Sequence, residues 1–366
     1  MSDPASILIV RLSALGDVIH VLPALEGLRA AYPQAKIGWA VEDKASSLLQ
    51  GHPHLDRIHV IPRQTLTKAL KGGQFTTFRT AALTGVRELR REGYEVALDF
   101  QSNFRSAALT RLSGAKRRIG QPKPFSKEGS RLFYTDVPAP VSKETHKIER
   151  NLELLSPLGI RPQGTPRPSL PPRPEVKLAE TSQPDGSPWR GLIAIHPGVS
   201  VFGALKAWRP ERFAALGKAL VEDGVRVVYL WGGASEEAQV KRLVEQAPGT
   251  EAAPKLNLIQ LAALLEQSQT FVGVDSGPLH VAAALGVPVV GLYGPKHTGT
   301  YGPYWPGTSA VAADFECSPC RYRRCPRDDA ARVETPDGVL RISPCMDTIE
   351  VARVRAECLL RIEAKA

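Results

Sequence analysis

Residues 270–295, TFVGVDSGPLHVAAALGVPVVGLYGP, constrain the fold more than any other part of the chain. Two apolar runs, 271–274 and 289–293, enclose a polar turn (Asp275, Ser276, Gly277, Pro278), a helical stretch at 279–285 and a Gly-Val-Pro break. That pattern is one strand-turn-helix-strand unit. Runs with no polar alternation suit strands buried on both faces of a parallel sheet. In such sheets ligands sit outside the carboxyl ends of the strands, where helix N-termini point unused N–H groups. The Asp-Ser-Gly turn falls at such an end. Ser276 or Asp275 is expected to cap the helix, Gly277 to let a ligand approach the backbone, and Pro278 to occupy the first helical turn, where no N–H is needed. A capped turn with no ligand would look the same locally, so the rest of the chain has to decide.

The same alternation recurs on both sides of a break. Short apolar runs at 7–11, 36–41, 58–61 and 96–100 are separated by helical stretches. The turn at 13–17 leads into a helix whose inward face is marked by Leu22, Leu25 and Leu28 and which ends at Tyr32-Pro33; Pro23 either kinks it or marks its true first turn. Eight prolines then fall within residues 161–188, a density that no regular element survives. Beyond them come a run at 192–196, a helix over about 210–222, a run at 225–231, an apolar run at 256–259 and a helix ending near Gln267. With 366 residues, two domains are expected. The reading is α/β, with a first doubly wound domain at 1–160, a linker at 161–188, a second at 189–345 and a C-terminal helix at 346–366. Two similar domains joined by a linker place the natural binding site between them. No G-x-G-x-x-G follows the first run, which argues against an ordinary dinucleotide site there.

Charge is more informative by position than in total. Lys plus Arg exceed Asp plus Glu by 47 to 37, yet residues 57–150 alone hold 19 basic and 8 acidic groups, so the excess is concentrated in the first half. A localised positive field implies an anionic partner. Nucleic acid is disfavoured, because the basic region lacks interleaved aromatics and any recognisable binding module. Hydrophobic content of 43% and charged content of 23% are values of soluble globular chains. No apolar run approaches the roughly 18 residues of a membrane span, and residues 1–6 are too short and polar for a signal peptide, so a cytoplasmic protein is expected.

Three constellations carry chemistry. Asp17 follows the first apolar run beside a helix start, where it is either an N-cap or a carboxylate able to act as general base. His20, three residues on, either lines the same wall or packs as an ordinary surface histidine. His196-Pro197-Gly198 follows the first strand of the second half, with Lys206-Ala207-Trp208-Arg209-Pro210 opening the next helix. A helix N-terminus offers about half a positive charge to a diphosphate, so an ammonium such as Lys206 would be needed to neutralise it without a metal. The alternative is that Trp208 and Pro210 only anchor the helix. Trp231-Gly232-Gly233-Ala234-Ser235-Glu236-Glu237 is a further strand-to-helix turn, with a carboxylate suited to ribose hydroxyls or merely to the helix start.

Together these stretches resemble the heptosyltransferases of glycosyltransferase family 9. The resemblance rests on RLSALGDVIHVLPAL at the N-terminus, HPG and KAWRP in the middle, WGGASEE after them, and DSGPLHVAAALGVPVVGLYGP, in family order along most of the chain. Val41-Glu42 and the segment 146–150 look like the branch that adds the first heptose to the lipopolysaccharide inner core. The resemblance implies a GT-B arrangement, two Rossmann-like domains facing across a cleft, with the acceptor on the first and a nucleotide sugar on the second. It implies Asp17 as the base that deprotonates the acceptor, and inversion at the anomeric carbon. Donor binding falls to Lys206, Asp275, Ser276, Gly277 and His280, with Glu236 or Glu237 toward the ribose. Acceptor candidates are Ser13, Gly16, Arg63, Lys68, Lys127 and Arg150. ADP-heptose and an anionic glycolipid at the inner membrane surface are the implied partners, and no cofactor is required for catalysis.

Two features depart from the closest relatives. The loop 199–205 is longer than expected before Lys206. Cys317, Cys320, Cys325 and Cys345 stand in an Arg-rich segment at spacings able to close a tetrahedral zinc or iron site, which would be structural because four protein ligands leave no open position. Similar cysteine-rich segments occur in many family members, with a four-cysteine iron site in protein-modifying ones; cysteines that stay reduced and unligated are the alternative. Cys358 is read as a core or surface cysteine. Other readings keep the fold with another nucleotide sugar or a protein hydroxyl as acceptor, or make the chain a nucleotide-binding, membrane-docking protein without catalysis.

Overall fold

The computed structural model describes residues 3–178, 187, 190–199, 201–320, 322, 324–327, 329–335 and 338–364. It divides into two compact units, Met1–Pro172 and Arg173–Ala366, a division that falls inside the proline-rich stretch.

The first unit runs β1 (Ser6–Val10), α1 (Leu15–Ile19), α2 (Leu22–Ala31), β2 (Lys36–Glu42), α3 (Asp43–Ser46), β3 (Arg57–Ile61), α4 (Arg63–Lys71), α5 (Phe75–Arg91), β4 (Val96–Asp99), α6 (Phe104–Leu112), β5 (Arg117–Gly120) and α7 (Lys147–Glu153). Every strand pair is parallel, in the order β3-β2-β1-β4-β5. β1 is buried along its whole length, as its unbroken apolar run requires of a central parallel strand. Pro23 sits in the first turn of α2, so it opens that helix and does not kink it.

The second unit runs β6 (Leu192–His196), α8 (Pro210–Glu222), β7 (Arg226–Tyr229), α9 (Ala234–Gln246), β8 (Glu251–Ala252), α10 (Leu258–Gln267), β9 (Thr270–Val274), α11 (Gly277–Leu285), β10 (Val289–Tyr293), α12 (Thr298–Tyr301), β11 (Thr308–Ala312), β12 (Ala331–Thr335), β13 (Gly338–Ile342), α13 (Pro344–Asp347) and α14 (Val351–Glu363). The apolar run 256–259 enters α10 through Asn257, whose side chain accepts hydrogen bonds from the Ile259 and Gln260 amides at 3.0 and 2.9 Å. The large sheet is parallel in the order β11-β10-β9-β6-β7-β8, while β12 and β13 form a separate antiparallel hairpin. Numbered from its own start, the sheet reads 3-2-1-4-5-6, the Rossmann order, and the first unit repeats it without the sixth strand. Gly286, at φ +80°, ends α11 in the left-handed conformation that the Gly-Val-Pro break allows.

The C-terminal helix completes the second core. Val354, Cys358 and Ile362 on α14 are buried in the same cluster as Phe213, Leu216 and Leu220 on α8. The Trp208 indole donates to the Ile349 carbonyl at 3.0 Å, and Arg355 pairs with Asp223. Each such apolar side chain contributes about 1.5–3 kcal/mol when fully buried. Cys358 is therefore a core residue. No helix among the described residues is long and apolar enough to cross a membrane.

Strand order reverses between β1 and β4 in the first unit and between β6 and β9 in the second. Crevices open at such switch points, outside the carboxyl ends of the strands. Asp17 follows β1, Gln101 follows β4, His196 ends β6 and Asp275 follows β9.

Candidate active site

In the first unit Val10 and Asp99 are register partners, so the loops leaving β1 and β4 emerge side by side. Asp99 is fully buried and organises the β4 loop: one carboxylate oxygen accepts from the Gln101 and Ser102 amides, each at 2.9 Å, and the other from the Ser106 and Tyr134 hydroxyls, each at 2.8 Å. Burial pushes its pKa up against these hydrogen bonds. Gln101 then reaches across to the β1 loop, its Oε1 accepting from the Leu12 and Ser13 amides at 3.0 and 3.3 Å. The loop that delivers α1 is thereby fixed from below.

Asp17 is the third residue of α1, not its N-cap; Ala14 holds that position, and the Asp17 carboxylate reaches back to the Ala14 amide at 3.4 Å. Its side chain is 23% exposed, with Arg11 Nη2 at 2.5 Å from Oδ2. Lys147, from the first turn of α7, pairs with Oδ1, and His20 Nδ1 stands 4.0 Å from the same oxygen. Burial opposes ionisation, but Arg11, then Lys147 and His20, outweigh it and hold the carboxyl well below the usual range. The group is thus an ionised carboxylate at neutral pH, the state a general base requires. His20 is buried, edge-on to the His146 ring at 5.9 Å. At the end of β2 the buried Glu42 receives Arg63 at 3.0 Å and Arg105 at 2.6 Å.

In the second unit Lys206 closes the turn 201–206 and donates to both the carbonyl and the carboxylate of Asp275, the latter at 3.0 Å. His280 Nε2 lies 3.1 Å from the other carboxylate oxygen. Burial raises the Asp275 pKa, but His280 and Lys206 together pull it far below the carboxylate range. Ser276 is the N-cap of α11 by position, yet its side chain makes no capping hydrogen bond, contrary to the cap expected from sequence. Its Oγ is buried and lacks a partner among the described residues. Proline at the start of α11 removes one of the amides that a cap would engage. A buried hydroxyl without a partner costs about 1–3 kcal/mol, and a ligand oxygen at the helix start would relieve it.

Glu236, in the first turn of α9, folds back so that Oε2 accepts from the Gly232 amide at 2.7 Å and lies 3.9 Å from His196 Nε2. Burial opposes, but His196 and the Gly232 and Gly233 amides lower its pKa. A Cβ on Gly198 would stand 2.5 Å from Glu236 Oε1, so a larger residue there would make the carboxylate shift. Glu237 points along the helix instead, to Lys241 at 2.9 Å.

A protein-family model described as glycosyltransferase family 9 (heptosyltransferase) matches residues 83–331. The chain belongs to glycosyltransferase family 9. This transferase is 28% identical to lipopolysaccharide heptosyltransferase 1 of Pseudomonas aeruginosa over 330 residues, 87% of each chain. It is similar in fold to the E. coli heptosyltransferase WaaC solved with ADP, at a TM-score of 0.72 and 24% identity over 97% of this chain and 99% of that one. WaaC solved with ADP-2-deoxy-2-fluoro heptose gives a TM-score of 0.67 and 26% identity over 84% of this chain and 93% of the other. The two parallel-sheet units are thus those of the GT-B class, and the non-enzymatic reading of the sequence is set aside.

The structure of the transferase gathers Ser13, Gly16 and Asp17 on one loop and helix start, and Lys206, Asp275 and His280 in one hydrogen-bonded cluster despite the longer loop before Lys206. Arg63 is committed to Glu42, Lys68 is exposed on α4, Lys127 is exposed with its amide donating to the Ser102 carbonyl, and Arg150 stacks 4.4 Å over the Phe125 ring. Sequence reasoning missed Arg11, Gln101, Arg105 and Lys147. Arg11 left a signal, a cation closing an otherwise apolar strand run; Lys147 lies in the 146–150 segment of the resemblance, but nothing local pointed to its partner 130 residues away.

Cys317, Cys320, Cys325 and Cys345 line one cavity of about 100 Å³, with Phe315 and Arg327 beside them. None is in a disulfide. Burial, with Cys317, Cys325 and Cys320 nearby, pushes the Cys345 thiol up to about 11. Among the described residues no group of three His, Cys, Asp or Glu side chains stands ready to hold a metal ion. The four thiols nonetheless share one cavity.

Proposed function

We propose that the transferase moves heptose from ADP-heptose to an anionic inner-core acceptor of lipopolysaccharide, with inversion and with Asp17 as the general base. The observation that carries this reading is Asp17 itself, an ionised, partly exposed carboxylate at the carboxyl end of β1, beside the topological switch point. The naming of the relatives as lipopolysaccharide heptosyltransferases, and a relative solved with an ADP-heptose analogue, support the donor and acceptor class.

Asp17 takes the proton of the acceptor hydroxyl as that oxygen forms its bond to the anomeric carbon. The bond from that carbon to the diphosphate oxygen breaks, and its electron pair leaves with ADP. Lys206 and the α11 amides neutralise the diphosphate, Ser276 donates its unused hydroxyl to it, Gly277 admits it to the backbone, and His280 keeps Asp275 ionised. Glu236 or Glu237 accepts from the ribose. Ser13 and Gly16 border the acceptor hydroxyl, while Arg63, Lys68, Lys127 and Arg150 receive its carboxylates and phosphates. The enzyme works in the cytoplasm, peripherally on the inner membrane, where the basic first half meets its lipid acceptor. Cys317, Cys320, Cys325 and Cys345 hold a zinc or iron ion that braces the C-terminal segment and takes no part in the transfer.

Asp17→Asn tests the base. Turnover should fall by about 10²–10⁴-fold with circular dichroism unchanged; wild-type turnover would sink the assignment. Calorimetric titration with ADP, UDP and GDP tests the donor, and a preference for UDP would rule out ADP-heptose.

A further inference from the structure

Asp17 carries two cations, and they are not equivalent. Arg11 is buried and anchored, because besides its ion pair its Nη1 donates to the Phe100 carbonyl at 2.7 Å. Lys147, in the first turn of α7, pairs with the other carboxylate oxygen and has its side chain 28% exposed. An ammonium on a flexible four-carbon stem exchanges one anionic partner for another readily, whereas a buried guanidinium also held by a backbone carbonyl does so less easily. Arg11 occupies Oδ2 and Lys147 occupies Oδ1, so neither oxygen is clear of a cation.

This arrangement conflicts with the role proposed above. Proton abstraction follows Brønsted behaviour, so a carboxylate clamped by two cations is a poorer base than one clamped by one. We propose that Lys147 is a specificity-determining residue: it leaves Asp17 Oδ1 for a carboxylate or phosphate of the acceptor, so that an anionic acceptor unmasks the base that deprotonates it. The inference rests on Asp17 being the base. Lys147 keeps an anionic partner before and after the exchange, which makes the exchange nearly neutral electrostatically. Asp17 keeps Arg11 and the Ala14 amide, which hold it in position. The freed Oδ1 then accepts the hydroxyl proton as the acceptor oxygen bonds to the anomeric carbon. The charged and titratable groups facing Asp17 are Arg11 after β1, His20 after α1 and Lys147 on α7, with His146 behind His20. Of the two side chains that ion-pair with Asp17 at every pH near neutral, only Lys147 is both partly exposed and held by a flexible stem.

The test is kcat/KM against pH for the wild type, Lys147→Met and Lys147→Arg. Each is assayed with intact lipopolysaccharide inner-core acceptor, with its carboxylates converted to methyl esters, and with its phosphates removed. The wild type should prefer the intact acceptor over one of the two modified forms by about tenfold or more, and which form it is identifies the anion. Lys147→Met should treat that pair within about twofold, and its acid limb should move to higher pH, because one of the cations that depress Asp17 is gone. Lys147→Arg should recover most of the preference. A Lys147→Met variant that keeps the wild-type preference, or an acid limb that does not move, overturns the proposal. Asp17→Asn with wild-type turnover fails the base reading by itself, whatever Lys147 does.

Discussion

Lys206 and Asp275, 69 positions apart, meet at the carboxyl end of β9, with Nζ 3.0 Å from Oδ2. An ammonium has three donors, and this one spends two of them on the carbonyl and carboxylate of one residue. The pair holds the cation beside the first turn of α11. Lys206→Met should therefore weaken ADP binding by about 10–100-fold while donor specificity is kept, as calorimetry will show. Unchanged ADP affinity would remove Lys206 from the donor site.

The same pair makes a pH prediction. The folded Asp275 pKa lies below its unfolded value of about 3.9. Its contribution to stability is complete above that value and is lost as pH falls through the depressed folded one. Lys206→Met should cost about 1–3 kcal/mol in urea unfolding at pH 7. The gap between variant and wild type should narrow steadily below pH of about 4, and a gap of constant size would show that it is not electrostatic.

Ser276 separates binding from folding. Because its hydroxyl lacks a partner among the described residues, Ser276→Ala should leave stability unchanged or raise it by up to about 1 kcal/mol. The same change should lower ADP affinity about 2–10-fold. A loss of stability with intact ADP binding would mean that the hydroxyl serves the fold.

Asp99 is the converse case. Four donors converge on its carboxylate, and an asparagine would turn an amide NH₂ toward two of them. Asp99→Asn should cost about 2–4 kcal/mol in equilibrium unfolding. Through Gln101 it should also lower kcat more than it raises KM for ADP-heptose, because the loop that aims Asp17 loosens while the second unit is untouched.

Metal content tests the cysteines. Protein purified without chelator should carry about one zinc or iron per chain, and Cys320→Ser should lose it. Stripping the metal should lower Tm without changing the initial rate, as expected of a structural ion. Metal-free protein of the same Tm would leave the cavity as reduced thiols.

Much of the architecture was legible in the chain. Unbroken apolar runs such as 7–10 and 271–274 read as buried parallel strands because burial on both faces leaves no polar alternation. The prolines of 161–188 read as a linker because the residue cannot continue either kind of ladder. Motif order reached the family, and the acidic and basic residues of DSGPLH and KAWRP were picked out before any contact was known. These are local properties, set by the side-chain period and by the chemistry of a few adjacent residues.

What only the tertiary structure decided is which of those residues meet. The strand order places β1 beside β4 and β6 beside β9, and this brings Gln101 under the Asp17 loop and Lys206 onto Asp275. It also brings Lys147 across 130 positions to Asp17, and leaves the Ser276 hydroxyl without the capping bond its position suggested. Sequence determined the elements and the candidate groups of this transferase. Their pairing, and therefore their charge state and basicity, depends on non-local contacts that no short-range pattern encodes.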